Sequence, residues 1–193
     1  MEQSAVFRLV AGLGNPGREY ADTRHNVGFL VADELARRSA AKFSFNTKWN
    51  SHVADCGGRT IMKPQTFMNL SGEAVADYAR YFKLVREEIM VVLDDASLPL
   101  GTLRLRKSGT SGGHNGLESV LVHLGSEAVP RLRVGISAPD GKGLHDHVLG
   151  KFEPAEMTAL QEAVARAADA IEYANARGID AAMNQFNQKP QEP

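Results

Sequence analysis

A glycine-rich stretch after the first apolar segment decides how the fold is interpreted; it reads Gly12-Leu13-Gly14-Asn15-Pro16-Gly17-Arg18-Glu19-Tyr20-Ala21-Asp22-Thr23-Arg24-His25-Asn26. Its first six residues match Gly-x-Gly-x-x-Gly, the pattern of strand-to-helix turns that bind dinucleotides. In such a turn the glycines open a helix whose N-terminus faces a pyrophosphate. A dinucleotide site therefore requires a helix directly after the glycines.

The neighbouring sequence argues against a dinucleotide. Helical periodicity begins only about ten residues after Gly17, where Leu30, Val31 and Leu35 follow Val27 at helical spacing. An acidic residue that would bind the ribose is expected about 20 residues past the glycines, and residues 42–47 contain none. The glycines are therefore predicted to shape a turn, and the polar side chains of the stretch become the functional candidates.

Asn15 and His25 have two interpretations at this point. In the structural one, Asn15 adopts an unusual backbone angle and His25 caps the following helix. In the functional one, both act on a ligand at the end of a strand, where α/β sheets bind ligands. The rest of the chain has to decide between them.

The composition predicts one domain without membrane or secretion segments. The 193 residues are 43% hydrophobic, enough for one core over residues 1–187, with a disordered tail predicted at 188–193. No window approaches 18 apolar residues and no signal sequence precedes the first strand, so a cytoplasmic protein is expected. The single Cys56 excludes an internal disulfide.

Charge is distributed unevenly along the chain. The net charge is −1, yet residues 101–135 hold five basic and two acidic residues, whereas residues 150–193 hold four basic and seven acidic ones. A basic patch on an acidic body favours local contact with phosphate groups. Solvated charges on unrelated faces are the alternative.

Strands and helices alternate in the predicted order. The segments 6–13, 59–62, 89–93, 102–106 and 131–137 are strand-like, and helical periodicity covers 27–38, 74–82, 117–124 and 160–174. This order predicts a single-domain α/β layered fold with a mostly parallel, twisted central sheet flanked by helices. The alternation of Leu and Arg over 102–106 predicts an exposed or edge strand with an arginine face.

Further polar residues follow predicted strands or precede predicted helices. Ser71 is the predicted N-cap of the second helix, which leaves Phe67 and Asn69 without a structural explanation. Asp94 and Asp95 end an apolar strand, where a buried carboxylate needs a partner such as a histidine N–H. The glycine-rich segment 107–116 has two interpretations: its glycines let a substrate approach closely at a helix N-terminus, or the segment is a flexible linker.

Five motifs in this order and spacing resemble bacterial-type peptidyl-tRNA hydrolases: residues 12–26, Phe67-Met68-Asn69-Leu70-Ser71-Gly72, Asp94-Asp95 before Leu98-Pro99-Leu100-Gly101, Gly112-Gly113-His114-Asn115-Gly116-Leu117, and Arg131-Leu132-Arg133-Val134-Gly135. The resemblance implies a single α/β domain that hydrolyses the ester between a peptide and the 3′ end of tRNA. It implies a cytoplasmic monomer that needs no cofactor.

The resemblance also implies catalytic roles. His25 matches the general base that activates water without a covalent intermediate, and a histidine with an ordinary pKa of about 6.5 suits that role. Asp94 matches the acid that orients this histidine, with Asp95 as the alternative. Asn15 matches the residue that contacts the peptide and distinguishes blocked from free aminoacyl groups.

The remaining implied roles concern substrate binding. Asn69 and Asn115 match substrate-contacting positions, with Tyr20 and Phe67 in the same cleft, and which asparagine stabilises the oxyanion stays open. Arg106 and Arg133 match positions that contact acceptor-stem phosphates, assisted by Arg104, Lys107 and Arg131. Replacing Arg106 or Arg133 is expected to raise KM with little change in kcat.

Two interpretations compete with hydrolysis. One is an RNA-binding relative that has lost activity. The presence of His25, Asp94 and the three asparagines favours the active enzyme over this interpretation. The other is the nucleotide-dependent oxidoreductase suggested by Gly-x-Gly-x-x-Gly. His145 and His147 lack nearby acids or cysteines in the pattern of a metal site, so no metal site is predicted there. A surface lid loop is predicted instead.

Overall fold

The computed structural model describes residues 7–141 and 143–188. The predicted tail lies outside these ranges except for Gln188, and so does Val6 of the first predicted strand. At the centre of this described part is a seven-stranded sheet. Its strands are β1 Leu9–Gly12, β2 Ser44–Asn46, β3 Ser51–Asp55, β4 Thr60–Pro64, β5 Ile89–Asp95, β6 Leu103–Arg106 and β7 Arg131–Gly135.

The sheet has the order β2-β3-β4-β1-β5-β7-β6. Its four central strands β4, β1, β5 and β7 are parallel, while β2, β3 and β6 add antiparallel pairings at the two edges. The two innermost strands, β1 and β5, are nearly continuous apolar runs because both faces of the sheet are covered. The predicted α/β class with a mostly parallel sheet is confirmed, and β6 is the edge strand that its alternation indicated.

Residues 7–141 and 143–188 form six helices, which are α1 Val27–Arg38, α2 Ser71–Phe82, α3 Asn115–Leu124, α4 Leu144–Val148, α5 Met157–Arg177 and α6 Ile179–Phe186. One apolar core lies between the sheet and α1, α5 and α6. A second core lies on the opposite face, under α2 and α3. Among the described residues, no helix is long and apolar enough to cross a membrane.

Gly12 at the end of β1 and Gly28 in α1 allow this helix to pack directly on the sheet. A Cβ on Gly28 in α1 would lie 2.5 Å from the backbone nitrogen of Leu13 and the carbonyl oxygen of Val92, and one on Gly12 would collide with the Gly28 carbonyl. Gly17 has a φ of +107°, which favours glycine. The glycine turn does not open a helix, since α1 begins only at Val27, ten residues after Gly17, and the turn is instead bonded through Asn15 to the side chain of Asn26, the N-cap of α1. The dinucleotide interpretation therefore lacks its structural basis.

Three local features differ from the predictions. Strands β2 and β3 were not predicted; they are short and partly exposed at the sheet edge. Ser71 is not the N-cap of α2; Leu70 occupies that position, and the Ser71 hydroxyl is buried without a partner among the described residues. Strand β7 ends at Gly135, two residues before the predicted end at residue 137. The chain turns there, and Ser137 has a φ of 64°.

Candidate active site

An open cleft of about 1060 Å³ lies at the carboxyl ends of the central strands. Loops that follow β1, β4 and β5 form its floor, and α4 forms one wall. This edge is where parallel α/β sheets bind ligands. Eight of the predicted site residues line it: Asn15, Tyr20, His25, Phe67, Asn69, Asp94, Asn115 and Arg133. Arg106 is not among its lining residues.

His25 is held at the cleft by a buried carboxylate. It lies in a 3₁₀ turn, Arg24–Asn26, just before α1, whose N-cap is Asn26. The His25 Nδ1 is 2.8 Å from Oδ1 of Asp94, whose side chain is 2% exposed. Asp95 makes no such contact, because adjacent strand residues point to opposite faces of the sheet. Asp94 is therefore the carboxylate on His25.

A second histidine bonds to the same carboxylate oxygen. His114 is the N-cap residue of α3, and its Nδ1 accepts the backbone N–H of Leu117 at 3.1 Å. Its Nε2 lies 2.9 Å from Asp94 Oδ1. Because Nδ1 is an acceptor, the neutral ring must carry its proton on Nε2 and donate it to Asp94. The helix cap thus fixes the tautomer of His114.

The shared oxygen also fixes the tautomer of His25. Burial raises the pKa of Asp94, but the two histidines outweigh it through charge and hydrogen bonds and lower that pKa to about 2. An ionised carboxylate only accepts hydrogen bonds, so His25 donates from Nδ1. The lone pair of neutral His25 is then on Nε2, on the far side of the ring from Asp94. This is the arrangement of an oriented general base.

Asn15 is fixed in a way that selects one of its two polar atoms. Its side-chain oxygen accepts the backbone N–H of Met68 at 2.8 Å. The side chain of Asn26 bonds both the N–H and the C=O of Asn15, at 2.8 and 3.0 Å. The Asn15 side-chain amide NH₂ is therefore the group left for a ligand. Asn15 is buried and lines the cleft, so it presents a donor there.

Residues 9–193 match the family model described as peptidyl-tRNA hydrolase. The chain belongs to this family. It is 48% identical to a peptidyl-tRNA hydrolase of Synechococcus sp. (strain JA-3-3Ab) over 96% of this chain and 84% of that one. It is 46% identical to one of Akkermansia muciniphila over 96% and 98%. The crystal structure of the Acinetobacter baumannii enzyme has a TM-score of 0.88 at 32% identity and covers 95% of each chain.

The rim of this peptidyl-tRNA hydrolase cleft combines an aromatic ring with amides. Phe67 is 57% exposed although it sits beside the buried Met68. Asn69 and Asn115 are exposed and line the cleft, and neither side-chain amide has a hydrogen-bond partner among the described residues. Tyr20 is half-buried on the loop that precedes His25. An exposed aromatic face with free amides suits stacking and hydrogen bonding with a nucleotide and a peptide.

The predicted basic residues have three different environments. Arg104 and Arg106 are exposed on β6, and the Arg106 guanidinium bonds to none of the described residues. Arg133 is half-buried and bonds to Asp95 and to the loop before α3. Arg131 is 1% exposed, and burial lowers its pKa to about 10, with a further lowering from Arg133. The prediction that Arg131 assists phosphate contact is therefore wrong, because a phosphate cannot reach its side chain.

The segment with His145 and His147 is helical. It was predicted to be a surface loop, but α4 places Leu144 and Val148 one turn apart on the cleft wall. His145 lines the cleft, and His147 Nε2 lies 2.8 Å from the carbonyl oxygen of Ser137.

His25, Asp94 and His114 have the donor types of a metal site. Two of these donor atoms, however, carry the protons that bond to Asp94. If Nε2 of neutral His114 bound a cation, the ring proton would have to move to Nδ1. That proton would then face the backbone N–H of Leu117, so that two donors would point at each other. The hydrogen-bond pattern therefore favours a proton-transfer site over a metal centre.

Sequence reasoning missed two positioning residues. His114 lies directly before Asn115 in the motif Gly112 to Leu117. Its position immediately before a helix was the sequence signal that it could be an N-cap. Asn26, which bonds twice to Asn15, is next to His25 in the opening stretch. Neither contact can be read from spacing alone, because each joins segments that the fold brings together.

Proposed function

We propose that this chain hydrolyses the ester that joins a peptide to the 3′ end of tRNA, with His25 as the general base. The observation that carries the proposal is the contact of two histidine nitrogens with one oxygen of buried Asp94, an arrangement that leaves Nε2 of His25 free beside the cleft. The functions named for the relatives support the same substrate. No dinucleotide or covalent nucleophile is needed.

Water would be activated at Nε2 of His25. As its oxygen attacks the ester carbonyl carbon, one proton passes to Nε2 and the imidazole becomes an imidazolium. The negative charge of Asp94 stabilises that cation through the Nδ1–H bond. Because His114 already donates to the same oxygen, Asp94 stays ionised and does not take the proton.

The tetrahedral intermediate carries an oxyanion that needs hydrogen-bond donors. The side-chain amides of Asn15, Asn69 and Asn115 are the candidates on the cleft surface. Collapse of the intermediate breaks the bond between the carbonyl carbon and the ribose oxygen, and the imidazolium returns its proton to that oxygen. The products are a peptide with a free carboxyl group and a tRNA with a free 3′ hydroxyl.

The proposed function is tested by the release of acyl groups from two substrates. Purified protein is expected to release the acyl group of N-acetyl-aminoacyl-tRNA and to leave unblocked aminoacyl-tRNA largely intact. An RNA-binding relative without activity would bind both and release neither. Equal hydrolysis of both substrates would contradict selection for a peptide.

Asn15 is expected to provide that selection. Its free NH₂ donates to the carbonyl of a blocked amino group and disfavours the ammonium of a free one. We expect Asn15→Ala to lower kcat/KM for N-acetyl-aminoacyl-tRNA about tenfold, the size of one lost hydrogen bond. The rate with free aminoacyl-tRNA should stay the same. Since Asn15 also bonds to Met68, thermal unfolding is measured alongside; an unchanged ratio between the two substrates would rule out this role.

Arg106 is expected to contact a tRNA phosphate. Its guanidinium is exposed and bonds to none of the described residues, so it is free to pair with an anion. We expect Arg106→Ala to raise KM about threefold to tenfold, to leave kcat unchanged and to reduce the salt slope of binding by about one unit. Arg80→Ala, at an exposed site on α2, is the charge-matched control. A salt slope equal to that of the control would contradict the assignment.

We also propose that the protein acts as a monomer in the cytoplasm. One chain supplies every residue of the catalytic cluster, and peptidyl-tRNA is a product of translation. Light scattering after size exclusion should then give a mass near 20.9 kDa, and a mass twice as large would contradict it.

A further inference from the structure

The second acid of the Asp94-Asp95 pair anchors Arg133, one of the residues that line the cleft. Asp95 Oδ2 lies 3.2 Å from Nη1 of Arg133, and the two side chains are only 11% and 15% exposed. The other carboxylate oxygen accepts the backbone N–H of Ser97 at 2.8 Å and its hydroxyl at 2.6 Å. Both oxygens of Asp95 therefore have assigned partners.

Arg133 connects this anchor to the glycine-rich loop 108–113. Its Nη2 donates to the carbonyl oxygens of Ser111 and Thr110, at 2.9 and 3.3 Å. The Ser111 carbonyl also accepts the backbone N–H of His114 at 3.3 Å. A continuous set of hydrogen bonds thus runs from Asp95 through Arg133 and Ser111 to His114, the residue that bonds to Asp94.

The loop depends on such contacts because its own sequence does little to order it. Residues 108–113 contain no apolar side chain that could pack into the core, and three of its glycines have positive φ angles. Arg131 supplies a second anchor: its buried guanidinium donates to the carbonyl oxygens of Thr110, Glu127 and Val129. Two arginines of β7 therefore hold a loop of high intrinsic flexibility.

We propose that Asp95 is a positioning residue for hydrolysis, acting through Arg133 on the loop that carries His114 and Asn115. The proposal rests on the catalytic roles given above for His25 and Asp94. It assigns Arg133 a role in orienting the catalytic cluster in addition to any contact with tRNA. Because orientation of reacting groups controls the chemical step, its loss should appear in kcat.

A role in phosphate binding alone leads to the opposite expectation. If Arg133 served only to attract phosphate, neutralising its partner Asp95 would free the cation and lower KM without a loss of kcat. Asp95→Asn separates the two roles because its side-chain oxygen would remain on the Ser97 N–H. Its NH₂ would then face Arg133, donor against donor, and break the Asp95–Arg133 contact.

The test measures kcat and KM of Asp95→Asn with N-acetyl-aminoacyl-tRNA, together with the amide NMR signal of Leu117, whose N–H bonds to His114. We expect kcat to fall about tenfold or more, KM to change little and the Leu117 signal to shift. Asp77→Asn removes an acid from an exposed aspartate–arginine pair on α2 and should leave all three values unchanged. Unchanged kcat, or a fall in kcat without a shift of the Leu117 signal, would overturn the proposal.

Arg133→Met provides the second variant, which keeps Asp95 and its Ser97 contacts. It should lower kcat as well as raise KM, whereas Arg106→Ala should raise KM alone. The double variant should lose no more kcat than Arg133→Met, because both changes break one connection. If Asp95→Asn does not fold, the kcat of Arg133→Met decides, and an unchanged value rejects the proposal. Wild-type-like activity of His25→Ala would instead reject the proposed function itself.

Discussion

His25→Ala is expected to lower kcat for N-acetyl-aminoacyl-tRNA by about 10³-fold, within the range that a general base contributes. The ring lines the cleft with Nε2 free, and no other described histidine combines that exposure with a bond to a buried carboxylate through the opposite nitrogen. KM should change little, whereas the melting temperature should fall by a few degrees, because buried Asp94 loses one of its two histidine donors.

His52→Ala is the matched control for this change. His52 lies on β3, away from the lining of the cleft, and should retain full activity. Single-turnover release of the acyl group, with binding of tRNA measured separately, distinguishes lost chemistry from lost affinity. A His25→Ala protein with a normal single-turnover rate would show that another group activates water.

Asp94→Asn is expected to have at least as large an effect, a loss of kcat of about 10³-fold or more. The amide keeps the shape of the carboxylate but offers no negative charge to the imidazolium that forms on His25. His114 loses the same charged acceptor. Steady-state kinetics measure the loss; a fall in affinity with unchanged kcat would contradict an orienting and charge-stabilising role.

The same variant should alter the dependence of stability on acid. The pKa of Asp94 is lowered from 3.8 to about 2 in the folded protein, so its charge stabilises the fold above pH 4 and this contribution is lost as pH falls towards 2. Unfolding by urea at several pH values should show the wild type losing about 2 kcal/mol more than Asp94→Asn over that range. Parallel losses in both proteins would contradict the assigned pKa.

The central strands could be predicted because they are buried on both faces. Continuous apolar runs in β1 and β5, and alternation in β6, are direct consequences of how each strand is covered. The same reasoning fails for β2, where Phe45 is exposed and the neighbouring residues are polar. An exposed edge strand imposes no apolar pattern, so only its pairing with β3 reveals it.

The site could be predicted only as a set of polar residues at strand ends. The sequence places Asp94 and Asp95 together but does not tell which face of the sheet each side chain meets. That choice depends on where the His25 turn and the loop before α3 pack, which is a tertiary property. The cap formed by His114 likewise depends on α3 beginning at Asn115 beside the end of β5.

The most direct test of the catalytic arrangement is the position of the proton on each of the two histidine rings. Nitrogen-15 NMR of the imidazoles, at a pH where both rings are neutral, distinguishes protonated from unprotonated ring nitrogens. We expect opposite tautomers on one carboxylate: His25 protonated on Nδ1 and His114 protonated on Nε2. A His25 ring protonated on Nε2 would contradict its role as the base, because the nitrogen that faces the cleft could not accept a proton from water.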